Sequence, residues 1–99
     1  MLVHLVLFWL KPEVSDEDRA AFRAGLESLE AIRAAEAIHV GTPAATPARP
    51  AVDGSYDFAL TVLLRDMAAH DAYQESPEHQ AFLAAHHTKW TRVRIYDAD

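Results

Sequence analysis

The sequence contains no cysteine, which excludes a disulfide scaffold, a thiolate metal centre and a cysteine nucleophile, and suits a reducing compartment. Glycine is scarce, at Gly25, Gly41 and Gly54, so there is no phosphate-cradling loop, dinucleotide fingerprint or nucleophile elbow. Basic residues are outnumbered: the formal net charge is −6 at pH 7. An acidic surface repels phosphate backbones, and no nucleic-acid partner is expected. No apolar run approaches the roughly 20 residues of a membrane span. The opening segment, Met1 to Leu10, is apolar but lacks a basic start and a small-residue cleavage site, and Lys11-Pro12 closes it. It reads as a strand rather than a secretory signal. The expected location is the cytoplasm, with no membrane partner.

What is present is a core. Hydrophobic residues make up 51% of 99 residues, enough for one domain, residues 1–99, and too many for a disordered chain. Leu2 to Leu10 is a strand. Ser15 then caps a helix, with Asp18 at capping-box spacing and Asp16, Glu17 and Asp18 at the positive end of its dipole. Phe22, Leu26, Leu29 and Ile32 form one apolar stripe, and the helix is expected to fade near Ala35. A short strand follows over Ala37–Thr42, then a Pro-rich surface loop from Pro43 to Gly54. Tyr56–Arg65 is a strand, Asp66 caps a helix carrying Met67 and Tyr73, and Ser76-Pro77 breaks it. Proline suits a first helical position, so a further helix runs from Pro77 to about His87. Trp90–Asp97 is the last strand. The order is the α+β, ferredoxin-like βαββαβ pattern.

Side chains of a strand alternate between faces. In the first strand His4, Val6, Phe8 and Leu10 share one face; Val3, Leu5, Leu7 and Trp9 share the other, and both faces are apolar. Helices cover one face of such a sheet. The other calls for a second cover, and a two-fold partner sheet supplies it with identical patches. A homodimer through the sheet face is therefore expected. The alternative cover is the Pro-rich loop, which carries few large apolar side chains.

Three residues stand out chemically. His79 falls at the third position of the helix begun by Pro77, where the helix dipole favours a neutral imidazole. Tyr73 lies six residues upstream across the break, and His4 is on the first strand. Phe8, Phe58 and Phe82 are candidates for the apolar wall of a shared pocket. The same residues also suit a structural core pair, with the tyrosine hydroxyl as an anchor. His79, His86 and His87 lie roughly along one helix face without the spacing of a helical zinc motif. Adjacent His86 and His87 diverge by about 100°, so no metal site is expected. His39 and His70 read as surface residues, and Met67 as core or cap packing. Arg92 and Arg94 share a strand face, suited to pairing with acidic groups or to an anionic ligand.

The segments Val3-His4-Leu5-Val6-Leu7-Phe8, Gly41, Tyr56-Asp57-Phe58-Ala59-Leu60, Tyr73, Ser76 through Phe82, and Ile95-Tyr96-Asp97 together resemble the stress-responsive A/B barrel (Dabb) family over nearly the whole chain. The Tyr-x-x-x-Pro-x-His-x-x-Phe segment, Tyr73 to Phe82, is the most specific part. The resemblance implies a dimeric α+β barrel. The plant polyketide-cyclase branch, of the olivetolic acid cyclase type, closes a linear tetraketide by aldol condensation without a cofactor. Similarity to it implies a Tyr73/His79 dyad with His4 beside it and no cofactor. This chain departs from that branch in the third strand, where Phe58 replaces a pocket histidine. The implied chemistry has His79 as base, Tyr73 as donor to a developing oxyanion and His4 orienting a small apolar or aromatic carbonyl compound. The other implied readings are a non-catalytic stress or assembly dimer, and a cofactor-free monooxygenase or haem binder.

Overall fold

The computed structural model describes all 99 residues. Its elements are β1 (Leu2–Leu10), α1 (Asp16–Ser28), β2 (Ala35–Gly41), β3 (Phe58–Leu64), α2 (Met67–Glu75), α3 (Pro77–His86) and β4 (Trp90–Ala98), with short 3-10 turns at Leu29–Ala31 and His87–Lys89. The strands form one antiparallel sheet in the order β2-β3-β1-β4. This is the ferredoxin-like arrangement.

Helix starts follow their caps. Ser15 Oγ accepts from the Asp18 amide, and the Asp66 carboxylate accepts from the Ala69 amide. Each cap satisfies one amide that the first helical turn leaves without a partner. α1 ends at Ser28, earlier than its apolar stripe suggests. The stripe continues through the 3-10 turn, and Phe22, Leu26, Leu29 and Ile32 are all buried. Periodicity is a property of burial, and a tighter turn preserves it. β2 begins at Ala35, two residues before the expected strand, with an irregularity between Ala35 and Ala37. Met67 remains 53% exposed at the start of α2 and takes no part in the core.

The core lies between the helices and one sheet face. Leu2, His4, Val6, Phe8 and Leu10 of β1 are buried, as are Phe58, Leu60, Val62 and Leu64 of β3. Each large apolar side chain contributes roughly 1.5–3 kcal/mol when fully buried. Asp57 fastens β1 to α1 at one end of the sheet. Its carboxylate accepts from the Leu10 amide at 2.7 Å and from the Arg19 guanidinium at 3.0 Å.

The opposite face carries Val3, Leu5, Leu7 and Trp9, with Ala59, Thr61 and Leu63 paired alongside. The helices leave this face bare. Just past the Pro-rich loop, Ser55 meets it at the Trp9 corner, where the indole donates to Ser55 Oγ at 3.1 Å and the Arg92 guanidinium lies 4.3 Å from the ring centre. Val52 of the loop is itself exposed.

Candidate functional site

The α2–α3 junction positions two site residues through one serine. Ser76 Oγ donates to the Tyr73 carbonyl at 2.7 Å and accepts from the His79 amide at 3.2 Å. It closes one helix and caps the next, and Pro77 enters at a position where its missing N–H costs nothing. The Tyr73 and His79 rings thereby meet edge to face, with centroids 5.2 Å apart. The His4 ring lies 5.9 Å from Tyr73 on the other side.

These three side chains and Gln74 line a cavity of 230 Å³ whose remaining walls are apolar and include Val6, Phe8, Leu60, Phe82 and Trp90. Tyr73 Oη, His79 Nδ1 and Gln74 Oε1 are buried without a protein partner. A buried polar atom in that condition costs roughly 1–3 kcal/mol. All three belong to residues that line this one cavity, among otherwise apolar walls. The cavity extends to β4, where Val93 and Ile95 line it while remaining 41% and 48% exposed.

Burial sets the protonation states. Burial lowers the His79 pKa below the usual imidazole value, and the neighbouring His4 lowers it further. The direction matches the sequence argument, although the cause is desolvation. Burial pushes the Tyr73 phenol well above its ordinary value, so it stays a donor. A neutral imidazole and a protonated phenol thus face one apolar space.

Of the residues expected at the site, His4, Tyr73, His79, Phe8 and Phe82 line the cavity, and Phe58 does not. Phe58 pairs with Phe8 across the sheet, but its ring packs against Phe22 of α1, with the Arg19 guanidinium 5.0 Å from its centre. It belongs to the core beneath α1.

Sequence reasoning missed Asp97, whose Oδ1 lies 2.6 Å from His4 Nδ1. A signal was there: Asp97 continues the alternation of Val93 and Ile95, so an acid stands in phase with an apolar strand face. The β1–β4 register sets Asp97 directly opposite His4. It also missed His70. Read as a surface residue, its side chain is only 16% exposed, and its ring lies edge-on to His4 with centroids 5.2 Å apart.

The comparisons agree with this fold. The family model described as Stress Responsive A/B Barrel Domain matches residues 2–99. A Dabb family protein with a ferredoxin-like fold from Mesorhizobium loti superposes with a TM-score of 0.79 at 23% identity, covering 99% of this chain and 94% of that one. A dimeric ferredoxin-like protein of unknown function from Thermobifida fusca gives 0.79 at 23% identity, covering 98% and 88%. A hydroxynitrile lyase from Passiflora edulis gives 0.78 at 17% identity, covering 98% and 90%. Likeness at such identities establishes the fold. No curated protein sequence matches the chain. No helix is long and apolar enough to cross a membrane.

Proposed function

Because the chain belongs to the stress responsive A/B barrel domain family, we propose that it is a homodimeric, cytoplasmic protein that binds a small carbonyl compound in the Tyr73/His79 cavity and moves a proton on it without a cofactor. The observation that carries this reading is the set of buried, unpartnered polar atoms on Tyr73, Gln74 and His79 around a cavity with apolar walls. Drug-sized ligands occupy roughly 300–1,000 Å³. At 230 Å³, this cavity suits a single ring or a short chain with one or two oxygens, a polyketide fragment or aromatic ketone.

In the proposed reaction, neutral His79 takes a proton from the carbon next to the carbonyl. The electron pair moves into the C–C bond and the carbonyl oxygen becomes an enolate, to which Tyr73 donates a hydrogen bond. The enolate carbon then attacks a second carbonyl of the same molecule, closing a ring, or is reprotonated at another position, isomerising it. The proton on His79 returns to the new alkoxide or to carbon, so the site ends as it began. Asp97 holds His4 by Nδ1, fixing the ring that orients the substrate. The bare face of β1 and β3 packs on its copy in a second chain. Support for pairing comes from its apolar side chains and from relatives of this fold described as dimeric.

The test is a thermal-shift panel of aromatic and short-chain keto acids on the wild type, Tyr73→Phe and His79→Ala. A compound that binds the folded state alone raises the melting temperature by mass action. The expected result is a wild-type shift that both substitutions remove, followed by turnover of that compound. If no compound shifts the wild type while His79→Ala melts lower, the pair is structural and the domain a non-catalytic stress or assembly dimer.

A further inference from the structure

His4, His70 and Asp97 come from β1, α2 and β4, so no sequence spacing joins them. In the fold their ligating atoms all lie within 4.8 Å of one another. The hydrogen bond between His4 Nδ1 and Asp97 Oδ1 accounts for two of the three groups. It does not account for His70, an imidazole largely withdrawn from water and turned edge-on to His4. His70 also has a carboxylate neighbour of its own: its Nδ1 lies 3.2 Å from Asp71 Oδ1. A carboxylate at one ring nitrogen is how metal-bound histidines are commonly oriented, leaving the other nitrogen for the ion.

We propose that His4, His70 and Asp97 form a binding site for a divalent first-row transition ion of the zinc class, separate in its ligands from the Tyr73/His79 pair. Two imidazoles and one carboxylate, with positions left for water, are a donor set suited to such ions. The chain's net charge of −6 favours cation approach.

The geometry is within reach. Two donors held about 2.0–2.2 Å from one zinc ion stand roughly 3.4 Å apart. His4 and Asp97, now 2.6 Å apart, have to part by less than about 1 Å, and His70 has to close by a somewhat larger amount. Asp97 can make this adjustment, because it lies on an edge strand with its side chain 43% exposed. The ion takes the place of the hydrogen bond between His4 Nδ1 and Asp97 Oδ1, and the proton of that bond passes to the other ring nitrogen of His4 or to water. The ion holds His4 by the nitrogen that now faces Asp97, and so attaches to a residue of the cavity wall.

The experiment is a titration of the tag-free full chain with zinc by calorimetry, and with cobalt(II) by visible absorbance, which reports imidazole coordination. The wild type is expected to bind one ion per chain. His70→Ala and Asp97→Asn, with circular dichroism confirming their fold, are expected to bind at least tenfold more weakly. His86→Ala and His87→Ala are expected to bind as the wild type does. Equal binding by His70→Ala, or loss of binding in His86→Ala or His87→Ala, overturns the site, as does a wild type that binds no ion. The organic panel reads the Tyr73/His79 cavity through a different pair of variants, so either reading fails without the other.

Discussion

His79 and His86 both carry imidazoles whose pKa is lowered by burial, helped by His4 for the first and by Lys89 for the second. In the unfolded chain each titrates near its ordinary value of about 6.5. Between the lowered folded value and 6.5 the unfolded chain binds more protons, so stability rises with pH across that window. The contribution is complete above 6.5 and is lost as pH falls through the folded values. Urea melts at pH 7.5 and 5.5 are expected to give a lower midpoint at 5.5. His79→Gln and His86→Gln are each expected to narrow the difference, and a difference unchanged in both variants rules out this origin. At this scale the sequence was informative where the chemistry is local. Tyr73, Ser76 and His79 lie within one short segment, and the helix break between them is visible in the Ser76-Pro77 pair. Asp97 and His70 reach His4 only through sheet pairing and helix packing, and a linear pattern carries neither.

The junction between α2 and α3 is the element on which the site depends. Ser76 serves both helices with one hydroxyl, so its removal has two effects. Ser76→Ala is expected to cost about 1 kcal/mol, as for other lost helix caps, read as a lower melting temperature. It is also expected to shrink the thermal shift produced by any cavity ligand, although Ser76 does not line the cavity. A full ligand shift in a destabilised Ser76→Ala limits the serine to a capping role. Element order, the caps and the buried faces of β1 and β3 were legible because alternation and helical spacing record which side chains avoid water. The end of α1 and the start of β2 were less so. Burial of Leu29 and Ile32 is the same in an α-helix and in a tighter turn, so periodicity does not locate the change. Phe58 lies on the strand face from which the pocket is lined. Its position along the strand, opposite Phe8 and beneath α1, turns it away.

For the whole molecule, the bare sheet face makes the firmest demand. Leu5, Leu7 and Leu63 sit at its centre, half-buried by one another and uncovered by any helix. A charge there leaves the helix-side core alone and opposes face-to-face packing. Leu5→Asp is expected to sediment as a monomer where the wild type sediments as a dimer. A dimeric Leu5→Asp variant moves the interface elsewhere, and a monomeric wild type removes it. That an uncovered face exists followed from the sequence, since both faces of β1 are apolar and the helices suffice for one.

The sheet order has a consequence in time. β1 is made before β3 and β4, yet it lies between them. The bond from His4 to Asp97 spans 93 positions, and the one from Leu10 to Asp57 spans 47. Contacts so distant in sequence form slowly, because the loop they close must be ordered before they reward it. A strand apolar on both faces therefore leaves the ribosome ahead of both its neighbours and waits for β4 before its polar partner arrives. During that interval it is the segment most open to pairing with another chain, and His4 is among the last groups to gain its side-chain partner.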